Sequence, residues 1–292
     1  MSIAVIGAGG QLGQTLCDLI GDSKVVRLTH QDVELTDRAS LERALQPLSP
    51  TVVINTAAFN LVDDAENRPA DAFAANALGV RELAHVCRNL GSTLVHFSSD
   101  YVFGLDASRD RPYDESDVPG PVNVYGLSKL AGEYFVRSIC PRHFVIRTCG
   151  LYGVRGSGGK GRNFVQTMLR LGEKRGQVRV VNDQTCTPTY AADLARATLD
   201  LLGTDGFGLY HWTNSGSCTW HEFACEIFRV ARMAVECEAI TSAEFGARAA
   251  RPKYSVLSTA KSEKAGLKPP RPWQEALRDF LNSKRSCLEG TQ

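Results

Sequence analysis

Tyr125 and Lys129 stand four residues apart in Tyr125-Gly126-Leu127-Ser128-Lys129, a spacing that puts a phenol and an ammonium on one face of a helix. Such a pair suits proton donation. A free tyrosine titrates near ~10, and a neighbouring lysine cation would lower that value. Tyr125 could then protonate the alkoxide that hydride delivery creates, while Lys129 stabilises the phenolate and holds ribose hydroxyls. A third hydroxyl belongs at a strand end beside the pair. Ser98-Ser99-Asp100-Tyr101 supplies it, and Ser99 is the candidate. Taken alone, Y-x-x-x-K is common and usually marks a solvated helix face, so its meaning depends on what accompanies it.

The strongest companion lies near the N-terminus. Gly7-Ala8-Gly9-Gly10-Gln11-Leu12-Gly13 sets glycines at 7, 10 and 13 between an apolar β-branched run, Ile3 to Ile6, and a helical pattern carrying Leu12, Leu16, Leu19 and Ile20. Gly7 permits the turn, Gly10 lets backbone approach a pyrophosphate, and Gly13 lets helix pack on strand. The helix N-terminus adds free N–H groups and partial positive charge. In this strand-to-helix context the glycines point to a dinucleotide cofactor. An acid ending the second strand would favour NAD. That strand ends Arg27-Leu28-Thr29-His30, so NADPH is favoured with Arg27 or His30 near a 2′-phosphate; Asp32 and Glu34, just beyond, leave NADH as the alternative.

The elements that must position these residues alternate regularly. Strands are expected at Lys24 to Leu28, Thr51 to Asn55, Thr93 to Ser98 and His143 to Thr148, with helices at Ser40 to Leu45, Ala70 to Leu90 and Val124 to Ile139. This predicts an α/β, Rossmann-like, doubly wound parallel sheet whose ligands lie beyond the strand C-termini. Residues 1–150 are read as the dinucleotide-binding domain, 151–285 as a smaller substrate-binding portion that returns to the sheet edge, and 286–292 as a tail. The polar stretch from Gly104 to Pro121 would border the site. Five glycines from Gly153 to Gly161, with Arg155, Lys160 and Arg162, suit either an anion-covering loop or a linker.

Composition narrows the function classes. The chain has 292 residues, 43% hydrophobic and 22% charged, as in ordinary globular proteins, and no segment approaches the ~20 apolar residues of a membrane span. A net charge of +1 without a basic run argues against nucleic acid as a partner. Nine cysteines show neither Cys-x-x-Cys nor a Cys/His grouping at metal-ligand spacing, so no metal site and packed, reduced thiols are expected in a cytoplasmic protein.

Together these motifs resemble the short-chain dehydrogenase/reductase superfamily. The runs Asn55 to Glu66, Phe97 to Phe103, Asn123 to Gly126, Asp183-Gln184 and Pro188 to Leu194, with Arg251-Pro252 and Pro272-Trp273, resemble more narrowly the dTDP-4-dehydrorhamnose reductase family over nearly the whole chain. The resemblance implies reduction of the C4 ketone of a dTDP-4-dehydro-6-deoxy-L-sugar to dTDP-L-rhamnose. By position it puts Gly10, Gln11 and Leu12 at the pyrophosphate, Glu34 and Leu35 near the adenosine, and Ala57, Ala58 and Phe59 along the cofactor. It turns Asn60, Ser99, Asp100 and Gly150 towards the nucleotide-sugar substrate, and gives Asn76 the task of orienting nearby backbone. The sequence departs at Gly150, where the family usually has tryptophan, so a flat wall against the substrate is expected to be missing. Ser99 and Asn60 stand where the family commonly has threonine. Some members hold magnesium through glutamates at a dimer interface; those positions are not matched here, which leaves Mg2+ open, as it does the choice between monomer and homodimer. Two other readings share these motifs: a non-catalytic subunit resembling the regulatory beta subunit of methionine adenosyltransferase, and a related nucleotide-sugar epimerase or dehydratase. Intact Ser99, Tyr125 and Lys129 argue against the first. A dehydratase would want further carboxylates beside the tyrosine, where only Asp100 is offered.

Overall fold

The computed structural model describes residues 2–154 and 161–289, with side chains through Ser283. The N-terminal half runs β1 (Ile3–Ile6), α1 (Gln11–Ile20), β2 (Val25–Leu28), α2 (Arg38–Leu45), β3 (Val52–Asn55), α3 (Val62–Asn67), α4 (Pro69–Phe73), α5 (Gly79–Leu90), β4 (Thr93–Ser99), α6 (Val124–Ile139) and β5 (His143–Thr148). The remainder runs β6 (Leu151–Tyr152), α7 (Phe164–Arg175), β7 (Gln177–Val181), β8 (Thr185–Cys186), β9 (Thr189–Tyr190), α8 (Ala191–Leu202), β10 (Gly208–His211), β11 (Cys218–Thr219), α9 (Trp220–Ala231), β12 (Glu236–Ile240), α10 (Ser242–Phe245), α11 (Ala260–Lys264) and α12 (Trp273–Glu289).

Six strands form one parallel sheet in the order β2-β1-β3-β4-β5-β10. Strands are added outwards in opposite directions from β1 (to β2) and from β3 (to β4, β5 and β10), so the crevice at the C-terminal ends of β1 and β3 is the switch point where doubly wound folds take ligands. Both faces are covered, which explains why β1, β3, β4 and β5 are buried at every residue. Leu12, Leu16, Leu194 and Leu201 of α1 and α8 close one face; Leu41, Leu83 and Val136 of α2, α5 and α6 close the other. A third cluster, built on Tyr152, Phe223 and Phe280, organises the C-terminal portion. That portion lends β10 to the main sheet, so the chain after residue 150 completes the dinucleotide fold as well as capping it.

Two expectations change. The single helix from Ala70 to Leu90 is broken: Ala74–Leu78 forms a π-helical turn between α4 and α5. There α6 passes so close that a Cβ at Gly132 would overlap the Asn76 carbonyl oxygen, a tertiary contact that helical periodicity does not encode. At the other end, backbone helix continues through Glu289, past the expected start of the tail. Arg155 and Lys160 of the glycine loop, and residues 290–292, lie outside the described residues. Among the described residues, no helix is long and apolar enough to cross a membrane.

Candidate active site

β1 delivers the chain to Gly7, whose φ of 78° lies in the left-handed region that glycine enters without steric penalty. The turn is held by N–H bonds from Gly7 and Ala8 to the Leu28 carbonyl at 2.9 and 3.1 Å, and by the Thr56 hydroxyl on the carbonyls of Ile6 and Gly7 at 2.9 and 3.1 Å. A Cβ at Gly13 would overlap Gly7 O and stand 2.9 Å from Ala8 Cα, so only glycine lets α1 sit this close to the turn. Gly10, by contrast, has only Gly7 O within reach, at 3.3 Å from an added Cβ, and caps α1 without any side-chain bond. Its missing side chain clears the outer surface, and the first N–H groups of α1 are left for an anion. The cradle therefore fits a dinucleotide pyrophosphate. Leu12 turns its side chain into the core, so only its backbone faces that position. Gln11 is buried, and its Oε1 accepts a 2.8 Å bond from Asn163, whose amide also reaches the Gly153 carbonyl at 2.8 Å.

Beyond β2 the expected 2′-phosphate partner is otherwise engaged. Arg27 pairs with Asp22 at 2.8 Å and Asp18 at 3.1 Å, because both acids lie on and just after α1 against the outer face of β2. His30 is exposed. Asp32 accepts both the N–H and the hydroxyl of Thr29 at 2.8 Å, and Glu34 does the same for Thr36 at 3.0 and 2.7 Å. Leu35 is buried and packs against Gly79.

From β3 the chain passes through Ala57, exposed Ala58, Phe59 and Asn60 before α3. Asn76 holds this segment. Fully buried in the π-helical turn, it accepts from Phe59 N–H at 2.9 Å, donates to Phe59 C=O at 2.8 Å, and donates to Ser128 Oγ at 2.9 Å. One amide thus ties the Phe59 segment to α6 between Tyr125 and Lys129 and holds nearby backbone in place, as expected of it. Asn76→Ala leaves both Phe59 backbone groups without their partner. A stability loss of about 1–3 kcal/mol is expected, read as a lower urea midpoint, together with weaker dinucleotide binding.

Tyr125 lies in the first turn of α6, which Asn123 caps by accepting from Gly126 N–H at 2.7 Å. Its ring meets Tyr101 edge-on with centroids 5.8 Å apart. Burial pushes its phenol up to about 12, and the hydrogen bond with Ser99 pulls the other way. Lys129 is buried, with Nζ donating 2.6 Å to the Phe97 carbonyl; burial lowers its pKa to about 8, partly offset by Glu133. The expected lowering of the tyrosine by the lysine is therefore absent from this arrangement: the ammonium turns to β4, and the phenol stays protonated at neutral pH. Beneath Lys129, fully buried Glu133 forms a two-pronged pair with Arg147 at 2.8 and 2.6 Å. Burial brings His211 down to about 3, so its neutral ring can donate Nδ1–H to the Tyr113 carbonyl and accept from Arg147 at Nε2, at 3.1 and 3.3 Å.

Ser99 ends β4, donating to Asp100 Oδ1 at 2.9 Å. Asp100 is 3% exposed, and its Oδ2 also accepts from Cys149 at 3.0 Å and Ser255 at 2.6 Å. With three protein donors on it, Asp100 holds Ser99 rather than presenting a free carboxylate to a sugar. Cys149 is accordingly a packed thiol. Gly150 has φ 54°. An indole stands beside it after all: an added Cβ would lie 3.5 Å from Cη2 of Trp220, which α9 brings in from seventy positions further along the chain. The C-terminal portion also brings Arg251, part of the Arg251-Pro252 run but without an assigned role, which pairs with Asp63 at 2.7 Å, and Ser255, which the sequence did not single out. Neither carries a local spacing signal.

The family model described as RmlD substrate binding domain matches residues 1–286. Spore coat polysaccharide biosynthesis protein SpsK of Bacillus subtilis (strain 168) is 38% identical, covering 98% of this chain and 99% of that protein. dTDP-4-dehydrorhamnose reductase of Streptomyces griseus is 40% identical over 94% and 90%. The crystal structure of dTDP-4-dehydrorhamnose reductase from Bacillus anthracis str. Ames in complex with NADP superposes with a TM-score of 0.92 at 38% identity, covering 97% of this chain and all of that one. The chain therefore belongs to the RmlD substrate binding domain family, that of the dTDP-4-dehydrorhamnose reductases, which are oxidoreductases.

Proposed function

We propose that this protein uses NADPH to reduce the C4 ketone of dTDP-4-dehydro-6-deoxy-L-sugar to dTDP-L-rhamnose. The observation that carries the reading is the convergence of Tyr125, Ser99 and Lys129 at the C-terminal end of β4, tied through Asn76 and Phe59 to the segment beside the glycine turn. NADPH in that cradle supplies the hydride. Backbone at Gly10, Gln11 and Leu12 takes the pyrophosphate, Glu34 and Leu35 border the adenosine, and Ala57, Ala58 and Phe59 line the cofactor. Lys129 holds ribose hydroxyls. Tyr125 gives its proton to the ketone oxygen as negative charge develops there, and Ser99 turns its hydroxyl from Asp100 to the same oxygen. Asn60 and the backbone at Gly150 border the sugar. NADPH is preferred over NADH because β2 ends at Leu28 without an acid to take a ribose 2′-hydroxyl, and the similar Bacillus anthracis reductase was solved in complex with NADP.

The test follows cofactor absorbance with the dTDP-4-dehydro-6-deoxy-L-sugar. Faster turnover with NADPH than NADH is expected, and no turnover with either overturns the reading. A different 4-keto sugar nucleotide at the same site is the second reading, favoured by Gly150 standing where the family usually has tryptophan; turnover of such a sugar alone would select it.

Proton bookkeeping gives a pH profile. Lys129 is shifted downwards, so its ammonium is present below about 8 and lost as pH rises through that value, whereas Tyr125 remains protonated until about 12. The value of kcat/KM is expected to fall above pH 8 as ribose binding weakens. A profile flat to pH 10 would contradict this assignment.

A further inference from the structure

Sequence spacing predicts no Cys/His grouping, yet the fold makes one far along the chain from the catalytic residues. His221 and Cys225 are four residues apart on α9 and therefore share a face. Cys237 comes from β12, the strand paired in parallel with β7. The donor atoms of all three lie within 4.8 Å of one another, the only such group among the described residues. Cys225 Sγ and His221 Nε2 are 3.5 Å apart, and Nε2 lies 3.0 Å from the Cys237 carbonyl. A tetrahedral zinc with bonds of about 2.3 Å to sulfur and about 2.0 Å to nitrogen spaces adjacent S and N donors about 3.6 Å apart. The measured edge matches that spacing. All three residues are half-buried, so an ion can reach them and a water can complete the shell.

We infer that His221, Cys225 and Cys237 form a binding site for a soft divalent ion, zinc above all, that clips the first turns of α9 to β12. Two thiolates and an imidazole favour zinc over magnesium or calcium, which take oxygen donors. On binding, each thiol gives its proton to solvent and its sulfur takes the metal, while the imidazole exchanges its bond to the Cys237 carbonyl for the ion. The site needs no redox partner and has no part in hydride transfer. Its consequence is mechanical: Trp220, the residue before His221, is the ring that stands at Gly150, so the clip fixes the element that presents it.

The experiment is titration of the chelator-treated, thiol-reduced protein with Co2+, a spectroscopic stand-in for zinc. One equivalent should produce visible d–d bands of tetrahedral intensity and a near-ultraviolet thiolate-to-cobalt charge-transfer band, both bleached by added zinc. Cys225→Ser and Cys237→Ser should each weaken cobalt binding by at least tenfold, with far-ultraviolet circular dichroism unchanged. His221→Asn should keep the charge-transfer band while altering the d–d envelope. The inference is overturned by absence of a charge-transfer band when free thiols are titratable, by bands that survive in both cysteine variants, or by peptide mapping that finds Cys225 and Cys237 joined as a disulfide in the protein as purified.

Discussion

Replacing Tyr125 by phenylalanine is expected to lower kcat by about 10²–10⁴-fold, the usual contribution of a positioned general acid, while leaving NADPH affinity within a factor of about two. The asymmetry follows from where the phenol sits. Its hydroxyl is hydrogen-bonded with Ser99, which ends β4, whereas the cradle that would bind the dinucleotide is made by backbone at Gly7 to Gly13 and is untouched by the change. Because the hydroxyl stays protonated up to about 12, Tyr125 is in the form that can donate a proton throughout the neutral range. Loss of affinity equal to the loss of kcat would mean that the phenol serves binding instead. Stopped-flow single turnovers, with cofactor fluorescence measured separately, distinguish the two.

The second large effect concerns stability. Glu133→Ala should cost about 3–5 kcal/mol, because it strands the Arg147 guanidinium, 1% exposed, with no anion beside it. His211 cannot substitute, being held neutral by burial and by the arginine itself. Replacing both partners by apolar residues of similar volume, Glu133→Leu with Arg147→Met, should recover most of the loss, since a buried pair and a packed apolar pair differ little in net free energy. Urea unfolding measures both. A single-variant loss below about 1 kcal/mol would show that water reaches the pair. Lys129 lies one helical turn before Glu133, so activity at low temperature should also drop in the single variant as its ammonium loses a neighbouring anion.

What the sequence made legible was local. The Tyr125 to Lys129 spacing and the Gly7 to Gly13 turn specify their own geometry within one or two helical turns, and the β-branched runs at Ile3 to Ile6 and Val52 to Asn55 specify buried strands. Features that depend on distant partners were not legible. The π-helical turn at Asn76 arises from the approach of α6 at Gly132. The engagement of Arg27 depends on Asp18 and Asp22 facing it across α1 and β2. The resemblance turned Asp100 towards the substrate, and it gave no sign that Ser255, more than 150 residues later, donates to the same buried carboxylate. In the same way the indole at Gly150 arrives from α9, and the His221, Cys225 and Cys237 group forms only when α9 meets β12. In each case the missing information was which elements pack together, which periodicity and spacing do not contain.

Hydride delivery to a sugar ketone with Tyr125 as proton donor is tested most directly by isotope transfer. NADPH bearing deuterium on both faces at C4 of the nicotinamide is incubated with the dTDP-4-dehydro-6-deoxy-L-sugar, and the product is read by mass spectrometry and proton NMR. One deuterium at sugar C4 is predicted, with no solvent hydrogen at that carbon and with formation nearly abolished in Tyr125→Phe. A product carrying solvent hydrogen at C4, or deuterated product formed equally well by Tyr125→Phe, would contradict it.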